Sequence, residues 1–418
     1  MKANIDDIVY QAVFAEDRDK KNRLRQEIRL MVADNGIYPA SIQGLYDAAA
    51  RGYYGNKTVP AINIRGITYD VARAVFKAAL INRVGAFIFE IARSEIGYTE
   101  QRPDEYATCV LAAALKEGFQ GPVFLQGDHF QVRRRRYQSE PDKELEELKG
   151  LIEEAVAAGF YNIDIDASTL VDLDKPSLEE QQEANCLITA DMTSLIRNIE
   201  PEGITISIGG EIGEVGKQNS TVADLRAFMN GYRKKLTPGT TGISKISIQT
   251  GTRHGGVVLP DGSVAEVEVD FNVLEELSRV AREEYGLGGA VQHGASTLPD
   301  EAFDMFPKTG TVEVHLATGF QNIIYESSHF PADLLTEINK SLLVKYVSEK
   351  SDKDTNDQFI YKTRKKAFGD FKRQIWDISG EGLTGIRDEL EERFSQLFQK
   401  LGVCDTTDLV HRYIGKQT

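Results

Sequence analysis

The chain has 418 residues, with 64 acidic residues against 49 lysines and arginines, so its formal net charge is −15. Nucleic-acid binding is not expected of such an acidic chain, because phosphate backbones attract basic surfaces. Its 41% hydrophobic and 27% charged residues are typical of a globular protein and argue against global disorder.

The first predicted element is a charged helical extension over residues 1–38. After it, short apolar runs alternate with longer amphipathic segments. The short runs are β-branched and apolar at successive positions, which is typical of strands buried on both faces of a parallel sheet. Eight strands are predicted, at Val59–Ile64, Gly85–Ala92, Gly121–Asp128, Phe160–Ser168, Thr205–Gly213, Ile243–Gly251, Gly289–Thr297 and Thr311–Gly319.

The segments between these strands have helical periodicity. The clearest are Tyr69–Asn82, Glu144–Ala158, Leu178–Ile199, Val222–Lys235 and Phe271–Tyr285. Eight strand–helix units favour an α/β fold of the (β/α)₈ TIM-barrel type over an open doubly wound sheet. We therefore predict a catalytic barrel over residues 39–345.

A charged helical segment is predicted over residues 346–418, with its clearest helix at Leu383–Leu401. We expect it to pack on the barrel or on a partner subunit. Its basic run, Lys362–Lys366, is expected on the surface or at a contact between subunits.

Four of the six histidines lie at or near the ends of predicted strands, where barrel enzymes carry their active sites. These four are His129, His254, His293 and His315. Acidic residues at neighbouring strand ends are Asp128, Asp166 and Glu211. Three imidazoles at one rim suit a divalent metal and leave a fourth position open for catalysis. The alternative is that each histidine is a satisfied core residue.

The motifs at these strand ends resemble those of the class II, metal-dependent ketose-bisphosphate aldolases, which act on fructose or tagatose bisphosphates. The resemblance extends from about Ser41 to Leu401, with one motif on each of several successive strands. The matching motifs are Val59–Asn63, Asp128-His129, Ile165–Ser168, Gly210–Gly213, Thr252–Gly255 and Val291–Ser296.

The resemblance implies a metal-dependent aldolase that cleaves or forms a ketose phosphate through an enediolate stabilised by Zn²⁺. Fructose 1,6-bisphosphate, cleaved to dihydroxyacetone phosphate and glyceraldehyde 3-phosphate, is the favoured substrate. Asp128 matches the family's proton-transfer acid. The zinc ligands implied are His129, His254 and His293. Glu211 and Asp166 are candidate ligands for a second divalent ion, and a monovalent cation is a further candidate cofactor.

Candidate substrate and phosphate contacts follow several strands. They are Asn63, Gly255, Gly294, Ala295, Ser296, His315, Thr318 and Gly319. Backbone N–H groups after the seventh and eighth strands commonly form a phosphate site in barrels. Arg133 and Arg136, in the run after the third strand, are candidates for a second phosphate. The alternatives for this run are a solvated face or ion pairs with Glu140–Glu147.

The eighth strand departs from the family pattern, because His315 and Ala317 stand where the family usually has Asn and Asp. These changes add a ring that can carry a positive charge and remove a carboxylate. They predict a substrate that is more anionic or differently configured than the usual hexose bisphosphate. Other interpretations stay open: a non-catalytic accessory or regulatory barrel, an aldolase for another anionic sugar, or another metal-dependent isomerase or hydrolase.

The three cysteines, Cys109, Cys186 and Cys404, are scattered without a CxxC pair, which fits a reducing compartment. No apolar run reaches the roughly 18 residues of a membrane span. We therefore expect a cytoplasmic protein without membrane or nucleic-acid partners. Its expected partners are a small phosphorylated sugar and copies of itself, as a homodimer or homotetramer.

Overall fold

The computed structural model describes residues 4–213, 218–251 and 269–415. His254 and Gly255, both predicted site residues, lie outside this described part. The strands within it are β1 (Ile37–Ala40), β2 (Val59–Asn63), β3 (Ile88–Ala92), β4 (Gly121–Gln131), β5 (Asn162–Asp166), β6 (Ser207–Glu211), β7 (Lys245–Ile248), β8 (Ala290–Gln292) and β9 (Glu313–Leu316).

The described α-helices alternate with the strands and also extend beyond them at both ends. They are α1 (Ile5–Phe14), α2 (Arg18–Asp34), α3 (Gln43–Ala50), α4 (Thr68–Ile81), α5 (Arg93–Tyr98), α6 (Pro103–Glu117), α7 (Arg134–Ser139), α8 (Pro141–Ala158), α9 (Leu178–Gln181), α10 (Glu183–Ile199), α11 (Val222–Lys235), α12 (Phe271–Tyr285), α13 (Met305–Lys308), α14 (Thr318–Glu326), α15 (Ala332–Lys345), α16 (Asn356–Thr363), α17 (Ala367–Asp370), α18 (Lys372–Trp376), α19 (Gly380–Lys400) and α20 (Thr407–Tyr413). Short 3₁₀ turns are found at Ser168–Leu170, Ala295–Thr297, Asp300–Asp304, Val347–Glu349 and Arg364–Lys366.

Strands β2 to β9 form a closed parallel barrel in chain order, because β9 pairs with β2 and β4 pairs with both β3 and β5. This arrangement confirms the predicted (β/α)₈ fold. The additional strand, β1, pairs in parallel with the first half of β4, from Ile37 opposite Gly121 to Ala40 opposite Phe124. The sequence analysis did not predict β1.

The helices at both chain ends pack on the outside of the barrel. The long helix α19 lies against α4, and Phe398 contacts Phe87 with ring centroids 5.8 Å apart. At the other end, α2 lies against α6, where Arg25 pairs with Asp104 at 3.0 Å. Among the described residues, no helix has the length and apolarity needed to cross a membrane.

A bulge in β4 determines how two predicted site residues face the barrel. The pairing with β5 shifts between Gly127 and Phe130, so Asp128 and His129 together stand opposite one β5 residue. His129 has a φ of 39°, in the left-handed region. Successive residues of a regular strand point to opposite faces, and a bulge re-aims one of them. As a result, both side chains line the same cavity.

Candidate metal and active site

A cavity of about 690 Å³ opens at the carboxyl ends of the barrel strands. This is the end at which barrel enzymes place their active sites. Its lining includes predicted site residues from four places in the chain: Asn63, Asp128, His129, Arg133, His293, Gly294, Ser296, His315 and Thr318. Residues that are far apart in the sequence therefore meet at one mouth.

His129 lies among three carboxylates at the outer part of the cavity. Its Nδ1 is 3.1 Å from Oδ2 of Asp166 and 3.2 Å from Oε2 of Glu211, while its Nε2 is 3.9 Å from Oδ1 of Asp128. Burial lowers the pKa of His129, but these carboxylates outweigh burial and hold the pKa well above its usual value. The surrounding carboxylates therefore favour the charged form of the His129 ring.

The pKa values of the two acidic neighbours of His129 are shifted in opposite directions. Burial, with the nearby charge of Asp166, raises the pKa of Glu211 to about 6. Burial also opposes ionisation of Asp166, yet the contacts with His129, Ser168 and Gln131 lower the pKa of this carboxyl. The contacts therefore favour the ionised form of Asp166, which lies 3.1 Å from the His129 ring, while the pKa of Glu211 is closer to neutral pH.

The side chains of His129, Glu211 and His293 offer ligand atoms within 4.8 Å of one another. Their ring and carboxylate donors suit a divalent ion such as Zn²⁺. The His129 and His293 ring centroids are 4.3 Å apart. His293 also exchanges a hydrogen bond of 2.8 Å with the Ser247 hydroxyl through Nε2. We call these three residues the outer set, and its donors fit a metal ion.

Deeper in the cavity, His315 contacts a second group of carboxylates. Its Nε2 is 2.6 Å from Oε1 of Glu313, and its Nδ1 is 3.0 Å from Oε2 of Glu90 and 3.2 Å from Oδ1 of Asp128. Burial lowers the pKa of His315, but the carboxylates raise it well above its usual value. Burial raises the pKa of Glu90 to about 7, although the His315 ring opposes this shift.

A buried lysine lies below His315 inside the barrel. Lys245 Nζ is 2.5 Å from Oε1 of Glu313 and 2.9 Å from Oδ1 of Asp164, and it donates a 2.7 Å hydrogen bond to Gln126. Burial opposes the ionisation of Glu313, but Lys245 and His315 hold the pKa of this carboxyl below its usual value. Gly209 leaves room for this ion pair, since a Cβ at this position would collide with the Asp164 carboxylate.

One side of the cavity carries basic groups. Arg65 donates to Glu95 through Nε at 2.7 Å and to Gln321 through Nη1 at 3.0 Å, which aims its guanidinium along the cavity wall. Lys365, from the C-terminal segment, also lines the cavity, and its Nζ lies 5.7 Å from the centre of the Tyr98 ring. Burial and the charge of Arg65 lower the pKa of Lys365.

Lys365 has no ion-pair partner among the residues that the structure describes. Its placement differs from the surface or subunit contact expected for Lys362–Lys366. Asn63 lines the same wall and donates a 2.6 Å hydrogen bond to Glu95, so its amide is fixed in orientation. The basic groups and this amide together can bind an anionic substrate group.

The predicted phosphate loops meet beside Arg65, whose Nη1 donates a hydrogen bond of 3.4 Å to Oγ1 of Thr318. Gly294 has a φ of 70° and precedes the 3₁₀ turn that contains Ala295 and Ser296. The Ser296 hydroxyl accepts a 2.6 Å hydrogen bond from the Ala317 N–H, which holds this turn against the start of α14. Thr318 and Gly319 are the first two residues of that helix, so their N–H groups belong to its unpaired amino end.

The arginine run after β4 makes ion pairs. Arg133 contacts Glu144 and Glu147 at 2.6 Å each, and Arg136 pairs with Glu147. Arg133 still borders the cavity, whereas Arg136 is not among the residues that line it. The ion-pair alternative considered for this run is thus present in the structure, and its carboxylates compete with any phosphate for both guanidinium groups.

Comparison with known proteins then identifies the family. The sequence pattern of the family described as "Fructose-bisphosphate aldolase class-II" matches residues 40–378. The chain belongs to this family. No curated protein sequence matches this chain. The low identities to solved structures below fit a divergent member.

Several solved structures share the fold of this family member. The YdjI aldolase from Escherichia coli K12 is 14% identical over 87% of this chain and 98% of its own, with a TM-score of 0.51. Fructose-bisphosphate aldolase from Campylobacter jejuni is 16% identical over 88% and 96%, with a TM-score of 0.52. The fructuronate-tagaturonate epimerase UxaE from Cohnella laeviribosi is 11% identical over 83% and 82%, with a TM-score of 0.58.

Several functional candidates escaped the sequence analysis. Arg65 lies just after the end of β2, so its position was a usable signal, whereas Glu90 lies in the middle of β3. Glu313 and Lys245 lie at the beginnings of strands and gave no such signal, because only the closed barrel brings them beneath the mouth. The complete set of missed residues is Arg65, Glu90, Glu95, Lys245, Glu313 and Lys365.

Proposed function

We propose that this protein is a metal-dependent aldolase that cleaves a ketose phosphate, with fructose 1,6-bisphosphate as the first substrate to test. The observation that carries this proposal is the outer set beside Asp128 at the mouth of an aldolase-family barrel. A divalent ion bound there supplies Lewis-acid polarisation of the substrate's carbonyl and hydroxyl oxygens. His254, outside the described residues, remains a proposed further ligand.

Asp128 is proposed to move the proton in carbon–carbon cleavage. Its carboxylate accepts the proton of the C4 hydroxyl, the C3–C4 bond breaks, and the electron pair stays on C3 to give an enediolate. The C4 fragment leaves as an aldehyde, and protonation at C3 completes the second product. The position of Asp128 supports this role, because the β4 bulge sets its carboxylate beside His129 and 3.2 Å from His315.

The charged groups of the substrate are proposed to bind to two neighbouring sets of donors in the cavity, which meet where Arg65 contacts Thr318. The N–H groups at Gly294–Ser296 and Thr318-Gly319 would hold one phosphate. Arg65 and Lys365 would hold the second anionic group, on the wall where Lys365 has no ion-pair partner among the described residues. Phosphate binding at Arg133 stays a prediction, weakened by its pairing with Glu144.

We expect Lys365→Met to raise the KM for a bisphosphorylated ketose by about tenfold or more and to change kcat little. A hydrogen bond to a charged group contributes about 1.5–3 kcal/mol. The Lys365 contact would stabilise the bound substrate and the transition state equally, so its loss raises KM and leaves kcat nearly unchanged. Steady-state kinetics with mono- and bisphosphorylated ketoses would measure the effect. Lys362→Met is the matched control, because Lys362 belongs to the same basic run but pairs with Asp354 at 2.6 Å. An unchanged KM would remove Lys365 from the binding site.

A cleavage screen tests the proposed function directly. The zinc-loaded protein would be incubated with phosphorylated ketohexoses, and triose phosphate release would be followed with a coupled dehydrogenase. We expect release that a chelator abolishes and added Zn²⁺ restores. Loaded, folded protein that cleaves none of them would instead favour the accessory or regulatory barrel.

A ketohexuronate belongs in the same screen. The departures at His315 and Ala317 predict a more anionic or differently configured substrate, and UxaE, which shares the fold, is a fructuronate-tagaturonate epimerase. Interconversion of two hexuronates without triose release would replace the aldolase proposal with an epimerase.

A further inference from the structure

The cluster around His315 has features of a second metal site, separate from the outer set. It consists of Glu90, Asp128, Glu313 and His315, all buried, and we call it the inner cluster. Two overlapping sets of ligand atoms meet at His315, one with Asp128 and His293 and one with Glu90 and Glu313. In each set the atoms lie within 4.8 Å of one another.

The hydrogen bonds below His315 fix which ring nitrogen faces the cavity. Nε2 is 2.6 Å from Glu313, whose carboxylate also accepts hydrogen bonds from Gln126 at 2.9 Å and Lys245 at 2.5 Å. A carboxylate that accepts the N–H of a histidine is the usual support of a metal-ligating imidazole, since it leaves the other nitrogen for the ion. In His315 that other nitrogen is Nδ1.

Nδ1 of His315 is surrounded by oxygen ligands. It lies 3.0 Å from Oε2 of Glu90 and 3.2 Å from Oδ1 of Asp128. Two ligands about 2.1 Å from one tetrahedral ion are separated by about 3.4 Å. The distance of each oxygen from Nδ1 is thus close to the separation of two ligands on one ion.

The charge of the barrel interior favours a cation at the same place. Four buried carboxylates, those of Glu90, Asp128, Asp164 and Glu313, lie near His315, and Lys245 is the cationic side chain paired with two of them in the described structure. Buried charges are tolerated only when they are paired or bind metals. A divalent ion bound beside His315 would offset part of this negative charge.

We propose that Nδ1 of His315, with the carboxylates of Asp128 and Glu90, binds a divalent transition-metal ion at a position distinct from the outer set. The mixed nitrogen and oxygen donors suit Zn²⁺, Mn²⁺ or Co²⁺. Asp128 ligates through Oδ1, the oxygen that faces His315. Because a carboxylate has two oxygens, Asp128 keeps the second for its proposed reaction. The inner site does not depend on aldolase activity.

Cobalt binding to the metal-free full-length protein tests the site without any substrate. We expect two Co²⁺ ions per parent chain, and one ion, or a second that binds at least about tenfold more weakly, for His315→Asn. The visible spectrum should lose the component due to the inner ion. His411→Asn is the matched control, because His411 is exposed near the amino end of β4, and it should bind cobalt as the parent does.

Two further measurements exclude a merely structural effect. Glu313→Gln, which keeps the size but alters the support of Nε2, should weaken the inner ion by about 10–100-fold. Anomalous diffraction from zinc-loaded parent crystals should place an ion about 2.1 Å from Nδ1 of His315. An ion seen only beside His129, or equal cobalt binding and spectra in parent and His315→Asn, would overturn the proposal.

Discussion

Replacing His293 with alanine is expected to remove the ion held by the outer set and to slow ketose-phosphate cleavage by at least about 1,000-fold. Metal ions contribute several kcal/mol of transition-state stabilisation, and about 4 kcal/mol corresponds to a factor of about 1,000. His293 is decisive because its ring lies between His129, at a centroid distance of 4.3 Å, and His315, at 4.0 Å.

The measurement combines metal analysis with turnover. His293→Ala should contain less zinc than the parent after dialysis, and its residual rate should respond weakly to added Zn²⁺. His329→Ala, at an exposed position in the turn after α14, should behave as the parent. Full activity together with parental zinc content in the His293 variant would show that the outer set is not the catalytic metal site.

The sequence predicts the barrel well because buried parallel strands have a simple composition. A run such as Ile88–Ala92 is apolar at every position but Glu90, and each of the eight predicted strands overlaps an observed one. Helices with one exposed face were equally visible, and the predicted bounds of α11 and α12 agree with the structure. Periodicity is informative when an element has two unlike faces.

Helix α6 and strand β1 lack such patterns, and neither was predicted. In α6, eleven of the fifteen residues are buried, so it lacks the separate apolar and polar faces by which an amphipathic helix is recognised. Strand β1 has four residues and contains Pro39, which reads as a turn rather than as an edge strand. These elements depend on tertiary contacts that local patterns do not encode.

In the site, the sequence predicted which residues meet but not how they are oriented. Because the carboxyl ends of barrel strands meet at one rim, the four residues predicted at strand ends line one cavity. They are Asp128, His129, His293 and His315. The bulge that turns His129 inward has no evident sequence signal, since no glycine occupies the position with positive φ. Without it, Asp128 and His129 would face opposite sides of β4.

The ion pairs of the interior were the least predictable feature. Lys245 and Glu313 lie on different strands, separated by 68 residues, and each looks like a strand-edge charge in the sequence. Their contact orients His315, which also faces Glu90 and Asp128. The chemistry of Asp128 therefore depends on residues that neither motif nor spacing identifies.

Asp128→Ala is expected to lower cleavage by at least about 100-fold, the lower end of what general acid–base groups contribute. The ion of the outer set should remain, because His129, Glu211 and His293 are unchanged. The loss should appear mainly in kcat, since the proton is transferred in the transition state and not on binding. Asp128→Asn, which keeps the shape of the side chain but cannot accept the proton, should be impaired to a similar degree.

Asp142→Ala, at an exposed position in the first turn of α8, is the matched control and should retain parental rates. Single-turnover measurements on zinc-loaded protein separate chemistry from product release, and anomalous diffraction from zinc-loaded crystals of each variant verifies that the ion beside His129 and His293 is present. Unchanged turnover in Asp128→Ala would transfer proton movement to another group. Glu211 would then be the first candidate, because it lies 3.2 Å from His129 and burial raises its pKa to about 6, close to neutral pH.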